Sequence, residues 1–146
     1  INLEIISKMG IKITELSKMT LSDLEIRSFD VIIDAIFGTG LNGEISGVIF
    51  DAIDMINNNA RFIASVDVPS GINSDDGNIL GISVNADLTL TFLAYKIGMT
   101  LFPAADCVGD VRVLDISIPD YIVDINKINT NIIDIKIKTI DKLKFK

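Results

Sequence analysis

Val31-Ile32-Ile33-Asp34-Ala35-Ile36-Phe37 runs directly into Gly38-Thr39-Gly40-Leu41-Asn42-Gly43-Glu44, a nearly continuous apolar stretch followed by a turn with three glycines. A short apolar run of this kind reads as a parallel strand buried on both faces, because a strand covered by helices above and below has no polar side to show. Ser46 to Asn58 follows as an amphipathic helix, with Val48, Ile49, Ala52, Ile53 and Ile56 along one side. Arg61 to Asp67 then reads as a second buried strand, and Asp87 to Leu93 and Asp110 to Ile116 as two more. Strand, helix and strand at this connection length form a right-handed βαβ unit. The expected class is therefore α/β, a three-layer sandwich with a mostly parallel sheet and helices on both faces.

Outward from this centre the pattern is less regular. Ile1, Leu3, Ile5, Ile6 and Met9 fall at helical spacing and Gly10 suits a C-terminal cap. A short strand is expected around Ile11 to Ile13, and a short helix from Thr20-Leu21-Ser22-Asp23 to about Arg27. The segment Ala94 to Gly109 is expected to hold a short helix or turn. After Pro119 glycine disappears and isoleucine alternates with polar residues, so 1–119 reads as the domain and 120–146 as a final strand or a linker.

Composition limits the chemistry. The 146 residues suffice for one domain with a real core. A net charge of −7 argues against binding a nucleic-acid backbone, which needs clustered lysine and arginine. The last eleven residues carry +4 and the remainder −11, a basic tail that reads as solvated. There is no histidine, which removes Ser-His-Asp catalysis and most transition-metal sites and leaves acid–base work to carboxylates, lysine, tyrosine or water. The lone Cys107 reads as a packed thiol in a reducing, cytoplasmic setting. No apolar run reaches membrane-spanning length.

Two polar loops should emerge side by side at the carboxyl ends of the strands, where open parallel sheets bind ligands: Gly38 to Glu44, and Asp67-Val68-Pro69-Ser70-Gly71. Glycines let backbone N–H groups approach a phosphate, and the helix starting near Ser46 would offer its positive end to the same anion. Gly38-Thr39-Gly40-Leu41-Asn42-Gly43 also matches the G-x-G-x-x-G string of dinucleotide-binding turns, a weak signal alone. Glu44 beside the turn and Pro69-Ser70-Gly71 after the second acid fit poorly with a pyrophosphate seated tightly there. Asp67 either caps its turn, contacts a ribose hydroxyl or carries a proton. Asp34, inside an apolar strand, needs a cation, several donors or a solvated strand end. Ser70 could share such a cation.

Taken together, DVIIDAIFGTGLNGEISG (30–47), ASVDVPSGINSDDGNILGISVNADLTLTF (64–92), YKIG (95–98) and GDVRVLDISIP (109–119) resemble the YjeF N-terminal domain family of NAD(P)HX epimerases. The resemblance implies a Rossmann-like fold, usually dimeric, that epimerises the hydrated nicotinamide carbon of NADHX and NADPHX in metabolite repair. It further implies that Asp34 and Ser70 help ligate a potassium ion. Gly38, Thr39, Gly40, Leu41, Asn42, Gly43 and Glu44 would line the NAD(P)HX site, and Asp67 would contact the ligand as the catalytic proton carrier. The family's Asn-Asn-Gly-Gly-Asp-Gly loop, which supplies further potassium and phosphate contacts, does not occur in these residues. That departure leads to the expectation of a C-terminal portion of the domain whose tail leads toward an NAD(P)HX dehydratase domain. The alternative is a non-catalytic nucleotide- or protein-binding module of the same fold. A nicotinamide-dependent dehydrogenase would rest on the glycine string alone.

Overall fold

A computed structural model describes residues 2–17, 21 and 29–119. By internal contacts the chain divides into one unit of Ile1–Ile116 and another of Ser117–Lys146, and the site described below lies within the first. The expected helix reaching Arg27 falls mostly, and the tail 120–146 wholly, outside the described residues.

Four strands, β1 (Ile32–Asp34), β2 (Ile63–Val66), β3 (Leu88–Phe92) and β4 (Asp110–Leu114), form one sheet in the order β1-β2-β3-β4. Every pairing is parallel, so the α/β Rossmann-like class holds. The strands are shorter than the apolar runs that announce them, because the ladder stops where the chain turns into the polar loops. Helix α1 covers Asn2–Lys8 and ends at Gly10 with φ +73°, the left-handed backbone that glycine adopts without cost. Helix α2 covers Gly47–Asn59. Two single-turn 3-10 helices, Ile97–Thr100 and Ala104–Asp106, occupy the connection between β3 and β4.

The register places Asp34, Ser65, Thr89 and Val111 in one row across the sheet. On that face Ile63 packs with Ile45, Ile53 and Val84, and with Ile49 and Ile56 of α2. Beside it, Val68, Ile72, Met99, Ala104, Cys107 and Val108 form a second cluster that takes in Val111. Apolar burial is the main driving force here, and Ile53, with no exposed surface, sits at its centre. Cys107 is a packed thiol, with the Ser83 hydroxyl 3.3 Å from its sulfur.

Two expectations are corrected. β1 is not buried on both faces: its middle residue Ile33 is 69% exposed, while Asp34 is 1% exposed. Alternation sends Ile33 to the opposite face of the sheet, and no described helix covers it, since α1 buries none of its residues. The apolar run reported correctly that a parallel sheet exists, but composition cannot say which of its faces is covered. The strand expected at Ile11 to Ile13 is absent as well; Ile11 and Ile13 are half exposed and pair with no described strand.

Candidate functional site

Parallel strands all end at the same edge of the sheet, so the loops after β1, β2 and β3 converge there. Asp34 closes β1 and is almost completely buried. Its Oδ2 accepts from the Ser65 hydroxyl at 2.8 Å and the Ser70 backbone N–H at 2.8 Å. Its Oδ1 accepts from the Ser70 hydroxyl at 2.6 Å and the Ile36 N–H at 3.3 Å. Of the three ways in which a carboxylate could be tolerated inside this strand, the structure uses several donors. The Ser70 hydroxyl in turn accepts from the Phe37 N–H at 2.9 Å. One carboxylate and one serine thereby tie the start of the glycine loop to the loop after β2.

Potassium prefers oxygen ligands, and the donor set here is entirely of that type: the Asp34 carboxylate, the Ser70 hydroxyl and the Phe37 carbonyl 3.3 Å from that hydroxyl. Among the described residues no group of three or more histidine, cysteine or acidic side chains forms a metal cluster.

Gly38 to Glu44 crosses this edge with two kinds of glycine. Gly43 has φ +103°, which a residue with a Cβ adopts only under strain. Gly38 and Gly40 have no such constraint. A Cβ on Gly40 would meet nothing within 4 Å, and one on Gly38 would stand 3.7 Å from Oδ2 of Asp67. The fold does not require glycine at either position, unlike Gly71, whose Cβ would lie 1.9 Å from the Ile82 carbonyl oxygen. Leu41 packs against the α2 cluster, which anchors the loop from beneath. Ser46 precedes α2 without capping it through its side chain.

Asp67 follows β2 with φ +69°, and the Val68 N–H donates back to the Val66 carbonyl at 2.9 Å. A hydrogen bond spanning three residues about a positive φ is a γ-turn of the strained kind. β3 ends in the same way: Leu93 has φ +66° and the Ala94 N–H donates to the Phe92 carbonyl at 2.7 Å. Strain of this kind costs about 1–3 kcal/mol per residue and persists where the surroundings hold it.

Lys96 joins the two turns. Its ammonium lies 2.6 Å from Oδ1 of Asp67, 3.0 Å from the Thr91 hydroxyl, 2.8 Å from the Phe92 carbonyl and 3.3 Å from the Ala94 carbonyl. Both side chains of the ion pair are 20% exposed. Lys96 braces the loop, and it does so through the candidate proton carrier. Sequence reasoning also passed over Ser65 and Thr91. The signal for both was the period of two, which sends them to the same buried face as Asp34.

Comparison with known proteins adds an independent line. Residues 1–98 match the family model described as YjeF-related protein N-terminus. Over 134 residues the chain is 37% identical to a bifunctional NAD(P)H-hydrate repair enzyme Nnr of Thermofilum pendens, covering 89% of this chain and 26% of that protein. It is 38% identical over 94 residues to an NAD(P)H-hydrate epimerase of Oenococcus oeni, covering 64% of this chain and 45% of that protein. An NAD(P)H-hydrate epimerase of Limosilactobacillus reuteri is 40% identical over 93 residues, with 63% and 44% covered. The chain spans about a quarter of the length of the bifunctional relatives and less than half of the epimerases. With its parallel sheet, its glycine loop and a family match over two thirds of its length, the chain belongs to the YjeF N-terminal family.

Proposed function

We propose that this chain contributes the Asp67 and glycine-loop wall of an NAD(P)H-hydrate epimerase site, interconverting the R and S forms of NADHX and NADPHX. The observation that carries the reading is the placement of Asp67 against Gly38. Its Oδ1 is held by Lys96, while Oδ2 borders a loop whose two leading glycines are not demanded by the fold. Space kept open beside a carboxylate oxygen is where a ligand atom fits. Relatives named for epimerisation and repair of NAD(P)H hydrates support the same substrate class.

The chemistry asks for one proton carrier. A carbon bearing a hydroxyl and a ring nitrogen inverts when the hydroxyl proton is taken, the C=O bond forms and the C–N bond breaks, its electron pair going to nitrogen. Re-closure on the other face of the carbonyl reverses each change and returns the proton. Oδ2 of Asp67 takes the proton and gives it back, with no net consumption. Gly38 to Glu44 supplies backbone N–H groups to the ligand, and Leu41 fixes the loop to the core.

Asp34 and Ser70, with the Phe37 carbonyl, would hold a potassium ion in this reading. Bound there, the ion would supply a fixed positive charge beside the ligand's phosphates. The reading extends to the assembly: the site acts in a homodimer, with an NAD(P)HX dehydratase domain fused to it or acting as its partner. Among the described residues no helix is long and apolar enough to cross a membrane. The lone, buried free thiol of Cys107 suits a reducing compartment, and on that ground we place the reaction in the cytoplasm.

The test follows the R and S forms of NADHX chromatographically with the intact protein. Interconversion faster than the spontaneous rate is expected. Ligand-induced thermal stabilisation without turnover would instead mean a binding module.

A further inference from the structure

We infer that Lys96 is the positioning residue for Asp67, locking one carboxylate oxygen so that only the other is presented to the ligand. This rests on the epimerase reading above and deepens it.

Three groups converge on Oδ1 of Asp67: the Lys96 ammonium at 2.6 Å, the Phe92 N–H at 3.3 Å and the Thr91 hydroxyl at 3.4 Å. Oδ2 has no hydrogen-bond partner among the described residues, and no fully buried side-chain oxygen there lacks one, so Oδ2 keeps part of the 20% exposure of the Asp67 side chain. The two oxygens of one carboxylate are thus differentiated. Oδ1 is saturated and Oδ2 is free, 3.7 Å from where a Cβ of Gly38 would sit.

The ammonium does more than neutralise. Its contacts to the Phe92 and Ala94 carbonyls belong to the γ-turn at Leu93, and its contact to Asp67 belongs to the γ-turn at the end of β2. A single cation with three donors therefore bridges two adjacent left-handed residues that would otherwise relax independently. Relaxation at Asp67 would swing Oδ2 away from the glycine loop, and a displacement of about 1 Å at a reacting group can cost about 100-fold in rate. Thr91, on the sheet's buried face, completes the clamp by bonding both members of the pair.

A residue that orients the proton carrier should affect turnover more than substrate binding. The experiment uses the intact protein with Cys107→Ser as background, and Lys96→Cys is measured before and after alkylation with 2-bromoethylamine. Alkylation restores an ammonium at nearly the lysine length. Expected are a loss in kcat of about 100-fold with KM within threefold, and recovery of at least 10-fold after aminoethylation but not after iodoacetamide treatment. Unchanged kcat in Lys96→Cys overturns the inference, as does an equal response to both reagents. Should that variant melt at the assay temperature, Thr91→Val decides, since it removes one Oδ1 donor and leaves the ammonium. A severalfold kcat loss at constant KM is then expected, and unchanged kcat overturns the inference. Absence of epimerisation in the parent protein is a different result: it removes the epimerase reading itself.

Discussion

The Ser70 hydroxyl donates to Oδ1 of Asp34 across 2.6 Å although the two residues are 36 positions apart in the chain. The Ser70 N–H adds a second bond to the same carboxylate, at 2.8 Å. Asp34 therefore serves as a rivet between the ends of β1 and β2 before any ligand arrives. An amide at this position would set its own NH2 against N–H and O–H donors. Asp34→Asn is expected to lower stability by at least about 2 kcal/mol, because buried donors lose a charged acceptor. Urea denaturation of the two proteins measures this; an unchanged midpoint would show that the network is dispensable.

The glycines should separate into two groups by substitution. Gly71 has φ +101° and a Cβ there would penetrate the Ile82 carbonyl, so Gly71→Ala should cost more than about 3 kcal/mol or prevent folding. Gly40→Ala should leave stability within about 1 kcal/mol of the parent, since its backbone and surroundings accept a methyl group. The same substitution should raise KM for NADHX about 10-fold if the open space admits the ligand. Thermal melts and steady-state kinetics on both variants check the contrast.

Asp67→Asn keeps the shape of the side chain and removes its capacity to carry a proton. A kcat reduction of about 100- to 10,000-fold is expected, with the protein still folded. Full turnover in the variant would assign the proton to another group.

Potassium should matter for the rivet as well as for turnover. Replacing potassium with tetramethylammonium at equal ionic strength is expected to lower the melting temperature of the parent by a few degrees. The Asp34→Asn protein should show no such difference, because it lacks the anionic ligand. Equal melting of the parent in both salts would count against a potassium site at Asp34 and Ser70.

Ile53 tests the packing on which the glycine loop rests. It has no exposed surface and joins α2 to Ile63 of β2, within the same cluster as Leu41. Ile53→Ala should destabilise by about 2–5 kcal/mol through lost burial and a residual cavity. Calorimetry would register the change as a lower melting temperature with a smaller unfolding enthalpy.

Apolar periodicity by itself determined the parallel sheet and α2, and turn chemistry marked the loops after β1 and β2. Those signals are local: a strand or helix declares itself through the spacing of side chains along one segment. Asp34, Ser70 and Asp67 were also legible, because an acid in an apolar strand and a polar loop at a strand end are locally anomalous. Tertiary structure alone decided which face of β1 is covered, since exposure of Ile33 depends on elements elsewhere in the chain. It alone decided how Asp34 is satisfied, through Ser65 and Ser70 on the neighbouring strand and loop. And it alone brought Lys96 to Asp67, 29 positions earlier, by making β2 and β3 parallel neighbours whose ends turn at the same edge. At Gly38-Thr39-Gly40 the local string could be matched to a dinucleotide turn. Its place beside a carboxylate whose one oxygen is clamped and whose other is free is a property of the folded sheet.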